Sequence, residues 1–378
     1  MKIEIIHDVP VSPNFANRDA ALVSAYPAST VTRADDLLCV YRNGTAKHSR
    51  DGVLLSQRSR DGGRTWSNPV TIHDAMNGEH PESVHTGVVA EAADGQTLAF
   101  FTTVEAIKAD VYIFSEEGRA LRQRMWVASS PDGGDSWSPP RELDLPGLPP
   151  NRYVGSRPLV TADGALILPI EATAPAGQQV MLAAISLDAG RTFAPPFPIA
   201  YDQTSQLGFG DGKFAELDDG SVIMLTWTYR HPSEETIAVH RCVSSDRGRT
   251  WSPPQPTDLV CQILAPAVLN NSQLIAAGTV RTVPEGIRLF AGHDAGQTWD
   301  HDHAIQLWDP RQLRITGQPL PLNAAADPDK GGLWDALPSF TFGTPDLIPL
   351  NDTDVLMTYY AIVDDITHVR ACRFRLHP

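Results

Sequence analysis

The sequence of 378 residues predicts an all-β protein, a six-bladed β-propeller whose blades are four-stranded antiparallel sheets. Two observations predict this fold: five copies of one short turn motif and six recurring hairpin patterns between and around those copies. A four-stranded unit that repeats along the chain is typical of propellers, whose blades stand around a central channel.

The repeated motif reads Ser-x-Asp-x-Gly-x-Thr-Trp and is known as the Asp box. Its copies, three of them with one change, occupy 59–66, 130–137, 186–193, 244–251 and 292–299. The Ser and Asp side chains of such a motif hydrogen-bond nearby backbone groups, and its Gly takes a conformation that a Cβ would strain. Neighbouring copies are 48 to 71 residues apart from Asp to Asp, which indicates one supersecondary unit per repeat.

Each hairpin pattern has an apolar alternating run, a polar turn and a second apolar run. In chain order the turns are Asp35-Asp36, Ala93-Asp94-Gly95, Ala162-Asp163-Gly164, Asp218-Asp219-Gly220, Asn270-Asn271-Ser272 and Asn351-Asp352-Thr353. A third strand, the Asp box and a short fourth strand follow each of the first five hairpins.

The sixth unit lacks an Asp box and ends with the run Val369–Leu376, so that it has only three strands of its own. The N-terminal run Lys2–Ile6 is a predicted strand without a hairpin. We expect this strand to become the fourth strand of the last blade and to close the ring, because a propeller leaves few free strand edges.

A single domain is predicted for residues 1–378, with blade centres near 25–75, 83–145, 155–200, 210–258, 262–308 and 343–376 plus strand 2–6. The 31 prolines and 28 glycines suit a chain with many turns. The stretch Asp309–Phe342 shows no clear strand periodicity and is predicted to be a long loop, in which Trp334 and Asp335 are candidates for a lid over a pocket.

Composition argues against several kinds of partner and cofactor. The net charge is −15 and no basic stripe occurs, which argues against nucleic acid. No apolar run reaches membrane-spanning length and no signal peptide is visible, so a cytoplasmic location is expected. The four cysteines have no metal-type spacing and are expected to be free thiols, and no metal or other cofactor is implied.

The Asp boxes and the six-fold pattern resemble the sialidase superfamily, the Asp-box or BNR-repeat propellers that include neuraminidases and other exo-acting glycosidases. The resemblance covers nearly the whole chain and implies a small glycan or oligosaccharide as partner. In that family the functional face lies away from the Asp boxes. It is lined by the starts of the innermost strands, the ends of the second strands and the loops between second and third strands.

Two family residues are missing at the matching positions. The family's Arg-Ile-Pro motif, whose Arg joins a three-Arg clamp on the substrate carboxylate, is matched here by Ala25-Tyr26-Pro27. Thr344 precedes Pro-Asp-Leu where the family has its catalytic Tyr before Ser-Asp-Leu. Because a fixed fork of cations recognises a carboxylate, the missing Arg predicts that sialic acid is not the substrate.

Threading the chain onto the family plan gives the candidate catalytic residues. Asp51 falls in the loop that carries the family's acid, and Asp211 falls at the position of the family's Glu. Asp51 would be the general acid, with Asp211 or Glu82 as the second carboxylate. The alternatives are an Asp-Gly turn for Asp51, a plain turn for Asp211 and a solvated loop for Glu82.

Polar residues at strand starts and strand ends on the same face are candidates for substrate binding. They are Arg42, His48, His85, Arg157, Glu171, Tyr229, Arg230 and Arg281. Surface ion pairs or packing within a blade are the alternative roles for these side chains.

The leading hypothesis is an exo-acting glycoside hydrolase that uses paired carboxylates on a non-sialic sugar, such as a uronic or deoxy sugar. Two alternatives stay open. One is a lyase that acts on uronic sugars, with His85 or Tyr229 as base. The other is a non-catalytic propeller that binds a sugar or a protein. The criterion that separates an enzyme from a binding protein is whether two carboxylates from different blades reach one ligand-sized space.

Overall fold

The computed structural model describes residues 1–76, 81–105, 121–269, 271–310 and 340–377. Within these ranges the strands form six antiparallel sheets, and a four-stranded path can be followed through each. The predicted six-bladed propeller is therefore confirmed. Most of the predicted long loop, including Trp334 and Asp335, lies outside the described residues.

The blades follow one another along the chain. Strand order follows chain order in blades one to five, whereas in blade six the N-terminal strand lies beside the C-terminal one. The chain begins with strand β1 (Lys2–Pro10) and the short helix α1 (Pro13–Ala16). Blade one comprises β2 (Val23–Val31), β3 (Leu37–Gly44), β4 (Val53–Ser59) and β5 (Val70–His73). Blade two comprises β6 (Glu82–Glu91), β7 (Thr97–Glu105), β8 (Gln123–Ser130) and β9 (Arg141–Glu142).

The inner strand of blade three is split into two short segments that pair with the same neighbour. This blade comprises β10 (Arg152–Tyr153), β11 (Leu159–Val160), β12 (Leu166–Thr173), β13 (Gln179–Ser186) and β14 (Phe197–Ala200). Blade four comprises β15 (Leu207–Glu216), β16 (Val222–Arg230), β17 (Ala238–Ser244) and β18 (Gln255–Val260).

Blade five contains a short 3-10 turn and one additional short strand at its Asp box. Its strands are β19 (Leu264–Val268), β20 (Leu274–Val280), β21 (Gly286–His293), β22 (Thr298–Trp299) and β23 (Ile305–Trp308). Blade six comprises β24 (Phe342–Pro349), β25 (Asp354–Val363), β26 (Ile366–His377) and the N-terminal strand β1.

The cores lie between neighbouring sheets. One cluster joins blades one to three through buried residues such as Leu54, Phe100 and Leu168. All four cysteines are buried free thiols, as the sequence predicts. In the described part of the chain, no helix has the length and the apolar character that a membrane crossing needs.

The N-terminal strand closes the ring, as predicted from Lys2–Ile6, and it runs on to Pro10. Strand β1 pairs antiparallel with β26, from Lys2 opposite His377 to Pro10 opposite Arg370. Side chains strengthen the seam: the Tyr359 hydroxyl donates to Asp8 at 2.8 Å, and Nε of Arg370 donates to the same carboxylate at 3.0 Å.

Deleting residues 1–10 is expected to make the protein aggregate or melt at a much lower temperature. The deletion leaves the backbone of β26 as an open sheet edge and removes the carboxylate that pairs with Arg370. Circular dichroism melting and size-exclusion chromatography measure both effects. A soluble truncated protein with an unchanged melting temperature would contradict closure by β1.

The Asp boxes are tight turns at the end of the blade remote from the loops that join second and third strands. In blade one, Leu37 lies opposite Ser59 at the box end, whereas Asn43 lies opposite Val53 at the other end. Hydrogen bonds from the Thr192 side chain and backbone lower the pKa of Asp188 to about 2, so this box carboxylate is ionised at neutral pH.

Asp132→Ala is expected to cost about 1–2 kcal/mol of unfolding free energy, as for other lost turn hydrogen bonds. The Asp132 carboxylate accepts hydrogen bonds from the backbone and side chain of Ser136 at 2.9 and 2.6 Å. Urea unfolding measures the loss, and ligand binding should be unchanged because the box lies at the remote end of the blade. Weaker binding at unchanged stability would place function on the box face.

Candidate active site

Side chains from all six blades line one cavity at the end of the propeller away from the Asp boxes. Its walls are Tyr26, Pro27, His48, His85, Thr86, Gly87, Tyr153, Gly155, Asp211, Lys213, Trp227, Gln262, Ile263, Arg281, Phe340, Thr344 and Tyr360. The mixture of aromatic rings and a few charged groups is typical of a small-ligand site.

Irregular inner strands position several of these side chains. Strands β2, β6, β15 and β24 each shift register where they reach the cavity. Three of the bulges contain a non-glycine residue with positive φ, namely Tyr26 (57°), Asp211 (51°) and Thr344 (48°). A bulge redirects a side chain, and such backbone strain costs roughly 1–3 kcal/mol per residue and clusters at functional sites.

A pair of carboxylates from neighbouring blades lies at this cavity. Asp211 is in the wall, and Glu171 of β12 lies directly behind it, only 3% exposed. Glu171 Oε2 accepts a hydrogen bond from the Asp211 backbone amide at 2.8 Å, and Oε1 accepts one from the Tyr153 hydroxyl.

Burial controls the protonation of this pair. Burial, and then the charge of Asp211, raise the pKa of Glu171. Burial also raises the pKa of Asp211, although the Lys213 ammonium partly counteracts it. Because two neighbouring carboxylates resist double ionisation, we expect the pair to share one proton near neutral pH.

Two neutral histidines and two tyrosines continue the wall from the carboxylate pair. The Tyr26 hydroxyl and His48 Nε2 are 2.9 Å apart. The ring centres of His48 and His85 are 5.5 Å apart, and those of His85 and Tyr153 are 5.1 Å apart. Burial, and then the charge of Arg42, lower the pKa of His85 to about 3, and burial also lowers that of His48. Both rings are therefore uncharged in the physiological range.

Two cationic side chains, Arg281 and Lys213, also line the cavity. The Arg281 guanidinium lies 4.0 and 4.5 Å from the ring centres of Phe340 and Phe342, and its Nε donates to Gln262 at 2.7 Å. Nη1 of Arg281 is buried without a hydrogen-bond partner in the described residues. Lys213 lies in the same cavity, where burial lowers its pKa. These side chains can hold hydroxyl or carboxylate oxygens.

Of the residues predicted from sequence, His48, His85, Asp211 and Arg281 line the cavity. Glu171 and Tyr229 lie just behind the wall, since the Tyr229 hydroxyl accepts the backbone amide of Gln179 at 3.2 Å. The structure thus brings together six of the eleven predicted residues around one cavity.

Two of the predicted catalytic carboxylates lie elsewhere. Asp51 caps its own loop, where it accepts hydrogen bonds from the Thr45 amide at 3.0 and 3.2 Å. Burial raises the pKa of Asp51, but hydrogen bonds from Ser49 and Thr45 outweigh this effect, so that its pKa is lower than usual. The buried Glu82 forms an ion pair with the partly exposed Arg124 at 2.8 Å.

Three predicted arginines are also outside the cavity wall. The buried Arg42 donates to the carbonyls of Val84, Ala46 and Ser49. Arg157 pairs with Asp346 at 3.2 Å, and the exposed Arg230 pairs with Glu235 at 3.2 Å.

Several wall residues are not among those predicted, chiefly Tyr26, Lys213 and Tyr360. The sequence gives no signal for Tyr360, which lies in an apolar strand. Its ring packs over Gly343, where an added Cβ would be 3.2 Å from the ring. The cavity therefore contains a blade-six tyrosine, although Thr344 occupies the aligned position. Within the described residues, no group of three His, Cys, Asp or Glu side chains is placed to hold a metal ion.

Comparisons with known proteins agree with this architecture. The family model of the BNR repeat-like domain matches residues 35–184. A protein of unknown function from Dyadobacter fermentans has a similar structure, with a TM-score of 0.75, 18% identity and 99% of each chain covered. A search of curated proteins finds no match.

Sialidases are among the similar structures. The Hadza microbial sialidase Hz136 aligns with a TM-score of 0.67 and 16% identity over 94% of this chain and 66% of its own. The intramolecular trans-sialidase from Ruminococcus gnavus aligns with a TM-score of 0.65 and 12% identity over 94% and 96%. The chain thus shares the six-bladed propeller fold of these sialidases, and a BNR repeat-like model matches part of it.

Proposed function

We propose that this protein is an exo-acting glycoside hydrolase whose substrate ends in a non-sialic sugar, with uronic and deoxy sugars as the leading classes. The pair of Asp211 and Glu171 carries the proposal, because Asp211 lies in the cavity wall and Glu171, from the neighbouring blade, lies directly behind it. Glycoside hydrolysis needs one carboxyl group that keeps a proton and another that is ionised. Glu171 and Asp211 have different environments, which can give them this difference in protonation.

The rest of the cavity suits a sugar. Trp227 and the tyrosine rings offer faces on which the apolar side of a sugar stacks, while Arg281 and Gln262 offer donors for its oxygens. The similar structures named sialidases and trans-sialidase support a sugar ligand. Ala25, buried in the place of the clamp arginine, supports a sugar other than sialic acid.

A substrate screen tests this function. Purified protein is incubated with aryl glycosides of uronic, deoxy and neutral sugars, with uronic oligosaccharides and with a fluorogenic sialoside. We expect turnover of at least one non-sialic glycoside and none of the sialoside. Robust sialoside hydrolysis would contradict the substrate class, and tight sugar binding without turnover of any compound would indicate a binding protein.

A second candidate activity is elimination from a uronic sugar, favoured by the uncharged His85 and the cationic Arg281 in the wall of one cavity. A neutral imidazole can remove a proton from the carbon next to a carboxylate when a nearby cation stabilises the negative charge. The product distinguishes the two reactions: elimination leaves a conjugated double bond that absorbs ultraviolet light, whereas hydrolysis adds water and leaves none.

Glu171→Gln is expected to raise the melting temperature at about pH 8 and to lower activity. Because the pKa of Glu171 is raised on folding, the folded protein binds more protons than the unfolded one above the ordinary glutamate range. The free energy of unfolding therefore falls as the pH rises through that window, and a neutral glutamine removes this loss. The gain should shrink at about pH 4, where both states hold the proton.

Thermal melts of Glu171→Gln and wild type at both pH values measure this effect. Glu142→Gln, at an exposed position, is the matched control and should shift neither curve. A destabilised Glu171→Gln at the higher pH would show that the buried charge is not costly.

A further inference from the structure

Glu171 is separated from the cavity that its proton has to reach. The side chain is 3% exposed and is not part of the cavity wall. One of its oxygens accepts the Asp211 amide and the other contacts the Tyr153 hydroxyl. Tyr153 is itself in the wall, so its hydroxyl is the group that lies between Glu171 and a ligand.

Strand pairing brings Tyr153 and Glu171 together. Tyr153 of β10 lies directly opposite Glu171 of β12 in the antiparallel register, which places the two side chains on one face. The hydroxyl also accepts a hydrogen bond from Gln179 Nε2 at 3.4 Å, and the edge-on ring of His85 packs against the phenol.

Two glycines leave room for this arrangement. A Cβ at Gly155 would be 3.1 Å from the Tyr153 ring. A Cβ at Gly210 would be 2.9 Å from Gln179 Oε1 and 3.2 Å from Glu171 Oε1. Side chains at either position would therefore push apart the groups that hold the phenol.

We infer that Tyr153 is a catalytic residue that carries the proton of the buried Glu171 to the leaving oxygen of the glycoside. This inference rests on the proposed function. When Glu171 carries its proton, that proton sits on Oε1, because Oε2 accepts the Asp211 amide, and the hydrogen bond with the phenol is reversed. The carboxyl proton then passes to the phenol oxygen, while the phenol's own proton passes to the glycosidic oxygen. The bond from that oxygen to the anomeric carbon breaks, water forms the new bond to the carbon, and Asp211 accepts the proton that the water releases.

The leaving group reports on this proton transfer. A dinitrophenolate departs without a proton, whereas an unsubstituted phenol or an alcohol needs one. For Tyr153→Phe we expect kcat/KM to fall by roughly 10²-fold or more on the phenyl or methyl glycoside of the sugar that the wild type cleaves. On the dinitrophenyl glycoside the loss should be less than about 10-fold. An equal loss on both substrates, or no loss, would overturn the inference.

Further variants keep the test decisive. Tyr201→Phe, at a position 42% exposed and outside the cavity, is the matched control. If Tyr153→Phe does not fold, Glu171→Gln keeps the phenol and should show the same selective loss; an equal loss on both substrates would again overturn the inference. In the double variant the losses should not add, because both residues serve one proton path, and additive losses would contradict that path. Failure of the proposed function is a separate outcome, in which the wild type cleaves no glycoside.

Discussion

Asp211→Asn is expected to lower kcat/KM on the sugar substrate by roughly 10²–10⁴-fold. The substitution keeps the shape of the side chain but removes the charge that accepts a proton. Asparagine also tolerates the positive φ of 51° at this position, so the bulge in β15 should persist. Circular dichroism and the melting temperature should therefore stay close to those of wild type.

Two further variants make the Asp211 experiment specific. Asp218→Asn changes an exposed residue in the hairpin turn of the same blade and should leave kcat/KM unchanged. Asp51→Asn tests the acid that the family alignment favours. A larger loss of kcat/KM for Asp51→Asn than for Asp211→Asn would indicate that Asp51, in the loop after β3, is the acid. It would contradict the proposal that Asp211 and Glu171 are the centre of the reaction.

The fold is predictable from sequence because its determinants are local. Each Asp box encodes a turn within eight residues, and each hairpin is a pair of apolar runs around a polar turn. The closing strand Lys2–Ile6 is predicted by counting, since the last blade lacks one strand. None of these inferences depends on contacts between different blades.

The site is only partly predictable because it depends on contacts across blades and on backbone irregularities. Asp211 is a candidate because it falls at the position of the family's Glu, but its pairing with Glu171 depends on two neighbouring sheets. The bulge that turns Tyr26 into the cavity has no sequence signal, because any residue after Ala25 fits the alternating pattern. Tyr360 also has no sequence signal, because it lies within the apolar run of β25.

Two arginines near the site have equivalent positions in the sequence but different roles in the structure. From sequence, Arg42 and Arg230 are equivalent, since both stand at the end of a second strand. In the structure Arg42 is 1% exposed, whereas Arg230 lies on the surface beside Glu235. Burial lowers the pKa of Arg42 to about 10, so the guanidinium is still charged at neutral pH.

Arg42→Ala is expected to lower the free energy of unfolding by roughly 3–5 kcal/mol, because each buried carbonyl left without its donor costs about 1–3 kcal/mol. Its guanidinium donates to the carbonyls of Val84, Ala46 and Ser49 at 2.8, 2.5 and 2.6 Å, which ties the loop after β3 to β6. The variant leaves three buried carbonyl groups without their donor, in addition to a void. Because His48 belongs to this loop, KM for the sugar should rise as well.

Urea unfolding and steady-state kinetics measure the two effects together. Arg42→Lys keeps the charge but cannot make the forked contacts, and it should recover only part of the stability. Arg230→Ala is the matched control: its exposed ion pair should contribute less than about 1 kcal/mol. Equal, small losses for Arg42→Ala and Arg230→Ala would show that the loop holds its position without the buried guanidinium. In that case other contacts of His48, such as those with Tyr26 and His85, would hold this part of the wall.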